Sequence, residues 1–548
     1  MPGELERIDR RTLLRRAAAV GASAALVHTP SAMAGRARRR RRPVALPSPA
    51  QVREDFTRMV EFGPRLTASP NHENYLKWLE SEFQSAGLQL LPCDGYTTDR
   101  WLAEDATLTV LQGPGAGAVD IATYYPRSQE TPPQGVTGPL VYGGTAPGLS
   151  VSGTDIAALR AAVERYPAEL QSWAQGLSGT LAGGVQGSIL IVNLPVPAPL
   201  TAGAFLPIAT YLNWPGHTVA DWATIDYKRV WIEPGLGIPL APFQELGASG
   251  VVFICDASKA ALDGGYLPFT HGFEPLPAVY VDRDTGSSVR ALAAERPSTN
   301  LTLTASRQPS ATRAVTAVLP GSSKEAIIFN THTDGQGFAE ENGGVAFVEL
   351  ARYFGSLPPH KRLDRTLVFA AWPGHMVADL PQTQGWIDSH PDLVKRAVAA
   401  LTVEHLGCSE WIDTLDRGYH PTGEAELFGI WTTQGKMFEL TRDTIKAHEI
   451  PRAALLRPPA QFGVGAAFQS AGVPQIGAIA GPEYLLTVSN NGDLDKLDER
   501  LAASQIRWLA DLAHRLDSIP AASLREGDPT LGAGAPSSGT PAPQVSCT

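Results

Sequence analysis

The chain has 548 residues, 43% hydrophobic and 18% charged, with 53 glycines, 45 prolines and a formal net charge of −10. That length allows two or three domains with full cores, and the composition suits a loop-rich globular protein. The acidic balance argues against a nucleic-acid binder, which spreads positive charge over its fold. Four cysteines without CxxC spacing argue against a disulfide framework and leave one isolated bridge at most.

Residues 1–34 predict an export signal. A twin arginine (Arg10, Arg11), an Ala-rich apolar stretch and the small-residue cut signal Ala32-Met33-Ala34 follow one another, the order of a secretory peptide on the twin-arginine route. The expected location is therefore secreted or cell-envelope. Removing 1–34 takes away 5 Lys+Arg and 3 Asp+Glu, so 40 basic and 52 acidic residues remain, a balance of −12. "GRARRRRRP" then becomes a basic linker over 35–47. Elsewhere no run is long and apolar enough to predict a membrane span.

Along the chain, Leu76, Leu79 and Phe83 share one face of a predicted helix that Gly87 stops, and "ATLTVLQG" continues in strand character. From about 116 the texture changes to short apolar runs cut by Gly and Pro. There "VQGSILIVNLP" and "LPAVYVDRDTG" predict strands, and "ELGASGVVFICDAS" a helix end plus a strand. From about 312 strands and helices alternate: "EAIIFNTHTD", "GGVAFVELARYF", "RTLVFAAW", "AVAALTVEHLG" and the helix "RLAASQIRWLADLAHRLDSI". The prediction is an α/β domain, a sheet between two helical layers, formed by 48–115 and 312–520. A β-rich block at 116–311 is inserted into it, and a low-complexity tail occupies 521–548.

"NTHTDGQGFAEENGGVAFVELARYF", starting at Asn330, places a histidine and three carboxylates within ten residues, ahead of an apolar helix. Acids in that position also serve as charge partners of a helix N-terminus, so the reading depends on partners later in the chain. With "LTVEHLG" further on, the set resembles the co-catalytic zinc exopeptidases: bacterial leucyl aminopeptidases, aminopeptidase Y and glutamate carboxypeptidase II. "VQGSILIVNLP" and "LGASGVVFI" resemble their protease-associated (PA) domain. The resemblance implies a three-layer α/β/α domain with a mixed sheet, an inserted PA domain, and zinc bound by N and O ligands.

Carried onto this chain, the resemblance makes His332, Glu340 and Glu404 the ligands of one metal, with Asp334 and Glu341 supporting them from behind. His375 falls at the general-base position; an imidazole titrates near 6.5 and can accept a proton at neutral pH. The private ligands of the second metal are replaced by Met376 and Leu486, with Tyr484 near the latter, so one zinc ion is expected. His405, next to Glu404, should point to the opposite face if both lie in a strand. Trp372, Trp386 and Trp411 are expected mainly to pack.

The implied function is an exported hydrolase that cuts a peptide or small amide through a reduced, one-metal or atypical site. The alternative is a catalytically inactive, peptidase-like binding protein. A nucleophile elbow of G-x-S-x-G form, which would indicate esterase chemistry, does not occur.

Overall fold

The computed structural model describes residues 44–113, 115–148, 156–181, 184–194, 201–232, 237–269, 272–457, 463–487 and 491–532. The export signal over 1–34, most of the basic linker and the chain beyond 532 lie outside the described residues.

Three strands that are buried along their whole length organise the molecule: Ala326–His332, Thr366–Trp372 and Ala397–Val403. Their near-continuous apolar sequences are what a sheet covered on both faces requires. Ala326–His332 lies between the other two and is parallel to both, with His332 opposite Trp372 and Asn330 opposite Thr402. The sheet continues with Gln475–Ala480, parallel, and then Phe428–Thr432, antiparallel. On the other side the long strand Ser298–Leu319 runs antiparallel to Thr366–Trp372. The sheet is therefore mixed.

Alternate residues of these strands enter two different cores. Ile327, Phe329, Leu367 and Phe369 meet the helices Pro70–Ser85, Gly343–Ser356 and Glu499–Ser518 on one face. Ile328, Val368, Trp372, Trp386 and Phe468 form the core on the other face, under Gln382–Ser389 and Ala466–Ser470. The result is the expected three-layer α/β/α arrangement. Leu76, Leu79 and Phe83 are fully buried on one face of Pro70–Ser85, which Ser69 caps by accepting the His72 amide.

Ser298–Leu319 also carries the chain into a second sheet region by pairing with Asp94–Val110 from Thr299 opposite Val110 to Ala314 opposite Asp94. There Val136–Thr145, Ile189–Asn193, Gly250–Ile254 and Ala278–Val281 form parallel neighbours. The Gly- and Pro-cut texture of this stretch does not announce Ile156–Thr180, a helix of 25 residues with Pro167 inside it. Residues 209–213 return to the central sheet, where they pair antiparallel with Ala453–Leu456. The tail reading also starts too early. Ala521–Arg525 is helical with Leu524 fully buried, and Asp528 accepts the Gln434 amide. Among the described residues no helix is long and apolar enough to cross a membrane.

Candidate metal centre

The carboxyl ends of the three parallel strands deliver the candidate residues, the position at which open α/β sheets present ligands. His332 closes its strand. His375 sits in the loop after Trp372, and Glu404 and His405 follow Val403 directly. Glu340 precedes the helix Gly343–Ser356. That helix can start so close to the strand ends because Gly343 has no side chain. A Cβ there would lie 2.2 Å from the Val403 carbonyl oxygen and 2.3 Å from Thr331 Oγ1.

Five side chains converge. His332 Nε2 is 3.7 Å from Glu404 Oε2, His375 Nε2 is 3.2 Å from Glu340 Oε1, and His405 Nε2 is 3.6 Å from Glu340 Oε2. Within each of two triads, His332–Glu340–His375 and His332–Glu404–His405, the potential ligand atoms lie within 4.8 Å of one another. His332 Nε2, Glu340 Oε2, Glu404 Oε2 and His405 Nε2 are buried and lack a hydrogen-bond partner. Leaving so many polar atoms unmet in one place is costly. A cation bound by N and O donors satisfies them together, so the donor set fits zinc.

Electrostatics prepare the same atoms. Burial first, and then repulsion from His375 and His405, hold His332 well below the usual histidine range. Its Nδ1–H donates to the Asp334 carbonyl at 3.0 Å, so the lone pair on Nε2 faces the cluster. Burial raises the Glu404 carboxyl, with His405 and His375 pulling the other way. Burial opposes protonation of His375, but the hydrogen bond and charge of Glu340, joined by Glu404 and Asp334, outweigh it and raise its pKa. His375 is also the most exposed of the five, at 16% of its side chain against 2% or less for the others. It faces Phe269 of the 116–311 span, ring centroids 5.2 Å apart.

Asp334 and Glu341 stand behind this cluster in different ways. The Asp334 carboxylate accepts the backbone amides of Gly374, His375 and Met376 and the Thr67 hydroxyl. It thereby shapes the loop that carries His375. Gly374 makes that turn with φ +107, and a Cβ there would meet Leu380 at 2.6 Å. Glu341 turns away from the five and pairs with Arg65.

Met376 and Leu486 are buried and apolar, and the Leu486 carbonyl accepts the Tyr266 amide. Tyr484 donates its hydroxyl to the Ser409 carbonyl, outside the cluster. Trp372 and Trp386 are fully buried against Phe468. They pack.

His405 departs from the strand-based expectation. The strand ends at Val403, and His405 adopts a left-handed backbone, φ +56. That turn brings its ring to the same side as Glu404, and its Nδ1 donates to the Ala480 carbonyl. The signal available in sequence was the Gly407 that follows, a mark of chain reversal. Arg65 and His72 also escaped the reading. Both lie near the start of the domain, far in sequence from the residues they hold.

No family sequence model matches the chain, and no curated protein matches it by sequence. Solved structures do. A peptidase M28 precursor from Shewanella amazonensis is 16% identical, with TM-score 0.56 over 86% of this chain and 93% of that one. BSAP, a zinc aminopeptidase from Bacillus subtilis, is 14% identical, with TM-score 0.54 over 88% of this chain and 100% of that one. At such identities the likeness is one of fold. This chain has the fold of zinc aminopeptidases.

Proposed function

We propose that the protein is an exported hydrolase of metallopeptidase type that acts on a peptide or small amide near a chain end through a single zinc ion. The observation that carries this reading is the convergence of buried, unpartnered donor atoms from His332, Glu340 and Glu404 at the strand ends of an aminopeptidase-like fold. A zinc ion held there supplies Lewis acidity toward a carbonyl and toward water.

The remaining roles belong to the chain itself. His375, at the open side of the cluster with Glu340 3.2 Å away, is positioned to take up and return a proton during attack on the amide. Asp334 holds the His375 loop through three amides. Phe269 covers the His375 ring, which supports reading 116–311 as an inserted PA-like domain over the cleft. Its attachment supports that reading too: Arg229 donates to Glu426 and to the Gly481 carbonyl, and Val230 to Glu483. Export rests on the twin-arginine signal at 1–34 and places the enzyme in the envelope or outside the cell.

A second reading, a peptidase-like binding protein without activity, is favoured by one observation. Met376 and Leu486 are buried apolar residues at the positions where the resembled enzymes carry ligands of a second zinc. Metal analysis by inductively coupled plasma mass spectrometry separates the two. The mature protein is prepared without chelator, with Glu404→Ala alongside, and both are assayed on aminoacyl and short peptide amides. About one zinc per chain, lost in the variant and accompanied by turnover in the parent, is the expected result. Absence of metal when zinc is supplied overturns the enzyme reading in favour of the binding protein.

A further inference from the structure

We infer that His405 is a metal ligand: the single ion sits among His332 Nε2, Glu404 Oε2, His405 Nε2 and Glu340 Oε2, and His375 lies outside it. The inference rests on the metal-site reading above and goes beyond it by choosing between the two triads that share His332. Because His332 Nδ1 is committed to the Asp334 carbonyl, its one remaining nitrogen can serve only one ion. The two triads therefore compete.

Two observations favour the His405 side, and the ligand separations allow it. His332 Nε2, Glu404 Oε2 and His405 Nε2 are all buried and unpartnered, whereas His375 Nε2 already has Glu340 Oε1 at 3.2 Å. The two separations on this side are 3.7 Å, His332 to Glu404, and 3.6 Å, His405 to Glu340. With zinc bonds of about 2.0–2.1 Å, neighbouring ligands of a tetrahedral ion stand roughly 3.4 Å apart, so these separations permit the ion, as the 3.2 Å on the His375 side also does. The second observation is the backbone. A left-handed φ is unfavourable at a residue with a Cβ, and at His405 it turns the imidazole toward Glu404 and His332. The His405 Nδ1–H bond to the Ala480 carbonyl then fixes the tautomer that offers Nε2.

Glu340 gains a divided role. One oxygen completes the ion's surroundings and the other holds His375, so the proton carrier is tied to the metal without being consumed by it. The second imidazole that Leu486 does not supply comes from the residue next to Glu404. A lost second site and a refilled first one are then two sides of one rearrangement.

The test is zinc titration of the chelator-stripped full mature chain by calorimetry, for the parent, His405→Asn and His375→Gln, with zinc-edge X-ray absorption of the loaded samples to count imidazoles. Asparagine tolerates the left-handed backbone but lacks the reach, and melting of the metal-free variants reports whether the fold survives. The expected result is a loss of affinity of roughly 100-fold or more for His405→Asn, less than about tenfold for His375→Gln, and two imidazoles in the parent. If His405→Asn binds like the parent while His375→Gln does not, His405 is excluded and the metal-site reading stands. If the parent itself takes no zinc, both fail. Should His405→Asn not fold, an imidazole count of two in the parent and one in His332→Gln, with two retained in His375→Gln, supports the assignment; a fall to one in His375→Gln overturns it.

Discussion

Arg65 and Glu341 form an ion pair in which neither side chain has any exposure. The guanidinium also donates to the carbonyls of Met59, Gly63, Gln336 and Gly337, so one cation ties the first helical segment to the loop between His332 and Glu340. Burial draws its pKa down to about 10, still charged at neutral pH. Removing one partner leaves the other buried and unpaired, which costs about 3–5 kcal/mol. Arg65→Met should lower stability by about that amount in urea melts, and Glu341→Gln by less, since the amide still accepts. Equal and small effects would mean that the pair is not what holds the loop.

Asp334 predicts a different response. Asparagine at this position turns one acceptor oxygen into a donor facing the amides of Gly374, His375 and Met376. Leaving such amides unmet costs about 1–3 kcal/mol each where they are buried. Asp334→Asn should therefore destabilise the protein by a few kcal/mol and weaken zinc binding by roughly 10–100-fold. Thermal melts and competition with a chromogenic chelator measure the two effects separately.

The contrast between Glu404 and His405 shows how far the sequence carried the site. Glu404 is readable because a run of apolar residues ends in an acid, and such an end lies at the mouth of a parallel sheet. His405 is not, because strand alternation sends it to the other face; a single left-handed residue overrides the rule. The strands and helices after 312 follow from the same apolar runs. Ile156–Thr180 is harder to read because Pro167 interrupts its pattern. Arg65 defeats local reading altogether, since its partner lies 276 residues away.

His72 makes stability depend on pH. Its Nδ1 accepts the Ala68 amide and its Nε2–H donates to Thr333 Oγ1 at 2.8 Å, so the native state holds the neutral ring. Burial is the largest cause that lowers its pKa to about 4, against attraction to Asp334 and Glu73. The unfolded chain takes the proton near 6.5, the folded one only near 4. The contribution is therefore complete above about 6.5 and is lost as pH falls toward 4, about 3 kcal/mol in all. Glu349, raised to about 8 chiefly by burial and then by Asp55, tilts the other way, so the informative quantity is a difference. The gap in unfolding free energy between parent and His72→Gln should shrink by about 2 kcal/mol between pH 7 and 4.5, most of that amount. A constant gap would show that His72 does not titrate with folding.

His375 is the residue on which turnover should depend without metal content depending on it. It is the most open member of the cluster, held on Glu340 Oε1 and covered by Phe269. Glutamine keeps a polar contact to Glu340 but cannot carry a proton. A positioned general base contributes roughly 10²–10⁴-fold, so His375→Gln should lower kcat by that range on aminoacyl amides, with KM changed little and about one zinc retained per chain. Phe269→Ala provides the comparison. It uncovers the ring without removing the base, so a shift in KM larger than that in kcat is expected. If His375→Gln turns over like the parent, the proton passes through another group, and Glu340 becomes the residue to replace next.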